Sequence, residues 1–368
     1  MSSKEIKIPS VEDVRPIDRL RIVIEKRPDT VVVAALVVLL FLIVAFRWLY
    51  DNWLTEMDIF TAFLPSFTYV GSRLREFEIP AWNPYSSGGA PMLGDSQSGW
   101  MYLPVMFAFF IFNPINGMKV LILLQTLIGG VSAYYLARQL RLNVVPAFLA
   151  ALSFGIGPLI YAGTTEITVS SQLNAFLPLA LLGIERALRA ERLSARIGWS
   201  VATGVASTQM IYAWTGQGAM YSALIVGGWM AWRLLIERVP EVGSLREHAN
   251  RLVVSGIVVI VTVVGFGAAG ILPRLDFNSQ SNVPGGDYSQ VVGGDYRDIV
   301  RPLDQSIISL IVDGYSARSG SIAITVLLLA VLAVTRFRMA HGVYFWGLVA
   351  LSMVEITTGN SIFRSLLG

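Results

Sequence analysis

The chain has 368 residues, of which 54% are hydrophobic and 14% charged, and its mean hydropathy is +0.60. A soluble domain keeps long apolar runs as isolated exceptions, so this composition excludes one and points to a polytopic membrane protein. The net charge of +3 comes from short basic clusters between apolar runs, a topological pattern that excludes a nucleic-acid-binding face, and the absence of cysteine removes disulfides, thiolate nucleophiles and Cys-based metal sites.

Residues 1–29 form a basic segment in which "PIDRLRIVIEKR" reads as an interfacial helix on the cytoplasmic side. The first apolar run, Val31 to Phe46, follows Lys26 and Arg27 as in a signal peptide, but no small-residue cleavage pattern precedes Arg47, so it reads as a retained span over 30–50. A hydrocarbon core about 30 Å thick takes about 20 helical residues, and continuous runs without alternation exclude a barrel. Further spans are expected near 117–138, 144–162, 172–188, 197–214, 217–235, 252–272, 319–335 and 342–357. Trp100 to Phe112 is too short and is interrupted by Pro104. If it does not cross, Arg138 and Arg141, the arginines from Arg186 to Arg196, those from Arg233 to Arg251, and Arg336 and Arg338 all share the side of the basic N-terminus. It therefore reads as re-entrant or interfacial. The expected fold is an all-α helix bundle of about nine spans with a cytoplasmic N-terminus. Residues 30–272 form its core, 51–116 and 273–318 are outer loops, and 319–368 hold the C-terminal helices.

In the first outer loop Phe60, Phe63, Phe67, Val70, Leu74 and Phe77 recur at helical spacing, which predicts an amphipathic helix broken near Pro65. It either lies on the outer interface or covers the bundle. Gly265, Gly267 and Gly270 suit a close helix approach.

His248 and His341 fall in turns of the basic side, and no P-loop or HExxH pattern appears. The span centres lack Asp, Glu, Lys and Arg, which argues against ion-coupled transport. The reactive candidates are the outer carboxylates Glu56, Asp58, Asp95 and Glu166. Asp58 has two competing readings: a general base toward a hydroxyl acceptor, or an ordinary N-cap for the following helix. Glu56 can join Asp58 at one site, or at a divalent cation such as Mg or Mn, only if the chain between them is extended. Trp82, Tyr85, Trp100 and Tyr102 suit an interface or sugar stacking. Arg274, Arg297, Arg301 and Arg318 are either solvated loop residues or phosphate ligands.

The stretches "MDIFTAFLPSF", "IPAWNP", "GGAPMLGDSQSGWMYLP", "LNAFLPLALLGIERAL", "WTGQGAMY" and "GAAGILPRLDF", in this order, resemble bacterial YfhO-like membrane proteins of the GT-C glycosyltransferase superfamily. The resemblance covers roughly Trp53 to the end. It implies a seven-helix core, a first outer loop carrying the catalytic Asp, and a polyprenyl-phosphate-linked sugar donor. On this resemblance Asp58 matches the catalytic carboxylate, with Glu56 as a helper. Trp82, Asn83, Gln97 and Gln217 match substrate-binding positions, and Arg297 is the choice for the lipid phosphate. The turn Thr215–Gly216–Gln217 lacks the His of the related pattern, and "NSQSNVPGG" follows Asp276 where relatives often carry an Arg. Such proteins typically continue through more spans, so this chain is expected to be a compact homologue, a split half or part of a longer protein. The implied function is transfer of a sugar to an envelope glycopolymer, glycolipid or protein on the outer face. The alternative is a non-catalytic lipid or polysaccharide transporter or assembly subunit of the same fold.

Overall fold

The computed structural model describes residues 28–50, 58–86, 88–156, 168–280, 342–348 and 350. Glu56, Glu166, Arg297, His341, the expected 319–335 span and the N-terminal interfacial helix lie outside the described residues. The described chain is mostly helical. In order come α1 (Pro28–Tyr50), a π-helical turn (Ile59–Phe63) leading into α2 (Leu64–Arg75), a hairpin of β1 (Trp82–Asn83) and β2 (Ala90–Pro91), α3 (Leu103–Ile111), α4 (Pro114–Gln139), α5 (Val144–Ile156), α6 (Thr168–Arg189) and α7 (Leu193–Ala213). Then follow α8 (Thr215–Tyr221), a second π-helical turn (Ser222–Gly227), α9 (Gly228–Leu235) and α10 (Leu245–Gln280). Pro28–Phe46, Pro114–Gln139 and Leu245–Phe277 are long and apolar enough to cross a membrane, as expected of a membrane protein.

α6 and α7 have the length of a span but carry polar residues. Ser171, Gln172, Thr203, Ser207, Thr208 and Gln209 are buried against other helices and not turned to lipid. Lipid gives apolar helices little reason to associate, so close backbone approach matters. A Cβ on Gly130 would stand 2.7 Å from Leu40 Cδ1, which locks α1, α4 and α5 together with Gly155. The expected glycine contact on α10 narrows to one residue. Gly265 faces open space, Gly267 meets only Ile271 of its own helix, and Gly270 meets the Tyr212 ring. These three glycines also spell Gly-x-Gly-x-x-Gly, but inside a continuous helix with no preceding strand, so no phosphate-binding turn exists there.

Ion pairs show which helix ends lie together. Arg138 binds Asp29 at 2.7 Å, Arg141 binds Glu241 at 2.7 Å, and Arg251 donates to the Leu188 carbonyl at 2.8 Å. The basic clusters thus gather at one end of the bundle. The chain from Ile59 to Ile111 sits at the other, as the bond from Leu103 N–H to Gln209 near the end of α7 shows.

α2 departs from the expected pattern in three ways. Phe60 and Phe77 are exposed, whereas Ile59 and Gly71 join Phe63, Phe67 and Val70 on the buried face. Pro65 does not break the helix. It lies in the first turn of α2, where a missing N–H costs little, and the wide turn before it absorbs the misfit. The buried face packs on α3, where Gly71 admits the Phe109 backbone at a distance that any Cβ would violate. This helix therefore covers the bundle. α3, nine residues long, is too short to cross, consistent with a re-entrant or interfacial segment.

At the basic end Glu185 is fully buried and accepts from Arg233 Nε at 2.7 Å, Arg233 Nη2 at 3.0 Å, Trp229 Nε1 at 2.8 Å and Arg189. His248 Nε2 meets the Arg233 carbonyl at 2.8 Å, and Phe345 stacks on Trp229. This cluster joins α6, α9, α10 and the 342–348 helix. Removing one partner of a buried pair leaves a charge uncompensated. Glu185→Ala is expected to cost about 3–5 kcal/mol, read from denaturation of the protein in mild detergent; an unchanged midpoint would contradict this role.

Candidate functional site

The site is built from the loop between α2 and α3. In "WNPYSSGGAP", Trp82 pairs opposite Pro91 and Asn83 opposite Ala90. Asn83 is buried, and its Oδ1 accepts the Tyr85 N–H at 3.0 Å, so its side chain fixes the turn. Gly89, at φ +114°, lies beneath the Trp82 indole, where an added Cβ would stand 2.7 Å from Cζ2. The indole itself remains 54% exposed. Tyr69 on α2 donates to the Trp82 carbonyl at 2.6 Å and ties the hairpin to the bundle.

The following chain, Met92 to Leu103, is pinned by three side chains. Gln209 of α7 accepts the Leu103 N–H at 2.7 Å and donates to the Met101 carbonyl at 3.3 Å. Tyr102 donates to the Gln172 carbonyl at 2.9 Å. Arg274 of α10 donates from Nε to the Asp95 carbonyl at 3.0 Å. Next to that bond, Gly94 lets Phe277 approach so closely that a Cβ would stand 2.6 Å away.

Arg274 is the unusual group here. It is 2% exposed, its guanidinium carbon lies 5.8 Å from the Tyr212 ring centroid, and Nη1 and Nη2 have no hydrogen-bond partner among the described residues. Gly270, one turn earlier on α10, makes room for that ring, whose hydroxyl donates to the Phe266 carbonyl. A buried cation with open donors costs several kcal/mol unless something completes it. The paired Nη atoms match an oxyanion with two oxygens.

The other sequence candidates are placed differently. Asp58 begins the first helical turn, exposed, with φ −64° and ψ −33° and no capping hydrogen bond. The N-cap reading is therefore corrected: an N-cap needs extended backbone to fold its oxygen back onto the first N–H groups, and Asp58 is already helical. Its carboxylate is left without a hydrogen bond or ion pair among the described residues. Gln97 is half-buried, and its N–H is held by Asp95 Oδ1 at 2.8 Å. Gln217 sits on the short α8, next to Gly218, which packs on the Met210 carbonyl. Trp82 and Tyr85 are exposed and free to stack on a ligand, whereas Trp100 and Tyr102 are buried core residues. Trp82, Asn83, Gln97 and Arg274 thus belong to one assembly. Asp58 stands roughly 15 Å along the helix from Tyr69, where the hairpin attaches.

Sequence reasoning placed Arg274 in a loop because it ended the span before Pro273. The helix instead runs through that proline to Gln280. The available signal was the Gly270 to Arg274 spacing, which puts a gap and a cation on one helix face. The chain matches no family model, no curated protein and no solved structure.

Gly89→Ala is expected to cost about 1–2 kcal/mol from the left-handed backbone alone, and more because its Cβ displaces Trp82. Gly88→Ala, with φ +82° but open space, pays only the backbone part. Protease cleavage within the 82–91 hairpin measures the difference, and equal cleavage of the two variants would contradict the Trp82 contact.

Proposed function

We propose that this chain is an integral membrane glycosyltransferase of the GT-C type, with about nine spans and a cytoplasmic N-terminus. It moves a sugar from a polyprenyl-phosphate-linked donor to an envelope glycopolymer, glycolipid or protein acceptor on the outer face. The observation that carries this reading is Arg274, a dry guanidinium on a lipid-embedded helix whose two Nη atoms await an oxyanion. A lipid phosphate brings such an oxyanion to that depth, and it is also the leaving group of the reaction. Arg297, the choice from sequence, remains a second phosphate ligand in this reading.

Asp58 acts as general base. It takes the proton of the acceptor hydroxyl as that oxygen attacks the sugar's anomeric carbon. The bond from that carbon to the phosphate oxygen breaks, its electron pair stays on the phosphate, and attack opposite the leaving group inverts the centre. Arg274 stabilises the charge that develops on the departing phosphate. Trp82 offers an open indole face to a sugar ring, and Gln97 and Gln217 are the polar substrate contacts. Glu56, which could join Asp58 at a Mg or Mn ion, lies outside the described residues, and the step is written through Asp58 and Arg274.

A second reading, a non-catalytic lipid or polysaccharide transporter or assembly subunit, is favoured by one feature. An open, wholly apolar cleft of about 350 Å³ between α2 and α3, lined by Leu74, Phe77, Met106, Phe107 and Phe110, could hold a lipid chain without chemistry. Turnover of polyprenyl-phosphate sugars by purified protein separates the two. Asp58→Asn is expected to lower turnover by about 10²–10⁴-fold while leaving the melting temperature unchanged. Equal turnover would remove Asp58 as the base, and substrate movement without bond cleavage would favour the second reading.

A further inference from the structure

The basic end carries a second cation with open donors. Arg186 near the end of α6 is half-buried, its guanidinium carbon 4.4 Å from the Trp199 ring centroid on α7 and 5.3 Å from that of Tyr135 on α4. Its neighbours at this end have acids: Arg138 has Asp29, Arg141 has Glu241, Arg189 and Arg233 have Glu185, and Arg251 has Glu247. Arg186 has no ion pair or hydrogen bond among the described residues, only the two aromatic faces. Stacking occupies the faces of a guanidinium and leaves its in-plane N–H edge for an acceptor.

Arg196, one turn before Trp199 on α7, uses Nη2 on the Ala190 carbonyl at 3.2 Å and leaves Nε unpartnered. Among the described residues no carboxylate is bound to Arg196 either. The clamp lies near the last turn of the spanning helix α4, at the depth where Trp and Tyr meet lipid headgroups.

We propose that Arg186, clamped between Tyr135 and Trp199, receives the phosphate of an anionic membrane lipid at the basic end of the bundle. The site is separate from Arg274 and does not rest on the transfer reaction. The test reconstitutes the protein in phosphatidylcholine with and without phosphatidylglycerol and counts retained lipids by native mass spectrometry. The wild type is expected to enrich phosphatidylglycerol, and Arg186→Gln to lower that enrichment roughly fivefold. Arg186→Lys, which keeps charge but loses the fork, falls between. Trp199→Leu, which opens the clamp and leaves Arg186 in place, lowers the enrichment as well and serves where Arg186→Gln misfolds. Equal enrichment in Arg186→Gln and wild type would overturn the proposal. So would release of the lipid by millimolar inorganic phosphate, which would assign the site to the free ion. Failure here leaves the Asp58 turnover experiment unaffected.

Discussion

A guanidinium taken out of water must find oxygen, and at one end of this bundle that requirement organises the structure around Arg274. Its Nε–H reaches across from α10 to the Asp95 carbonyl and fastens the first loop to the last long helix. The fit depends on two absent side chains. Gly94 admits Phe277, and Gly270 admits the Tyr212 ring beside the guanidinium. The same loop is held from α7 by Gln209 and continues back to the hairpin that displays Trp82. One hydrogen bond therefore links the helix that brings the cation to the loop that brings the candidate ligand contacts.

The two ends of the bundle meet the same constraint differently. At the basic end one buried cluster is satisfied internally: Glu185 takes four donors and leaves Arg233 and Arg189 compensated. Such a cluster orients helices and has no donors left over for a ligand. At the other end Arg274 has only one of its nitrogen atoms engaged among the described residues, and Asp95, whose carbonyl it binds, spends a carboxylate oxygen on the Gln97 N–H. The contrast is between a buried pair closed on itself and a buried cation left open. Between the ends, buried Ser, Thr and Gln side chains and close glycine contacts hold helices that lipid alone would not drive together.

The helices were legible because long apolar runs and the spacing of arginines are strong signals. Pro114–Gln139 and Pro28–Tyr50 fall close to the expected spans. What failed depended on neighbours. Periodicity alone put Phe60 and Phe77 on the inner face of α2, but the π-helical turn rotates the face so that Ile59 replaces Phe60. Trp100 and Tyr102 looked like interfacial aromatics, yet the loop folds back and buries both. Proline misled twice: Pro65 lies near the start of α2, where its missing N–H costs little, and α10 continues through Pro273. At the site, the Asn83 side chain serves the turn, and Arg274 was passed over for Arg297 because a proline hid its helix.

The central claim is that the open Nη pair of Arg274 receives a lipid phosphate. The direct measurement is the affinity of the purified protein for polyprenyl phosphate against the uncharged polyprenol, in wild type and Arg274→Met. A charge-assisted hydrogen bond contributes about 1.5–3 kcal/mol, so the wild type should prefer the phosphate by roughly tenfold to a hundredfold and the variant should lose that preference. Equal affinity of the wild type for the two lipids would contradict the account.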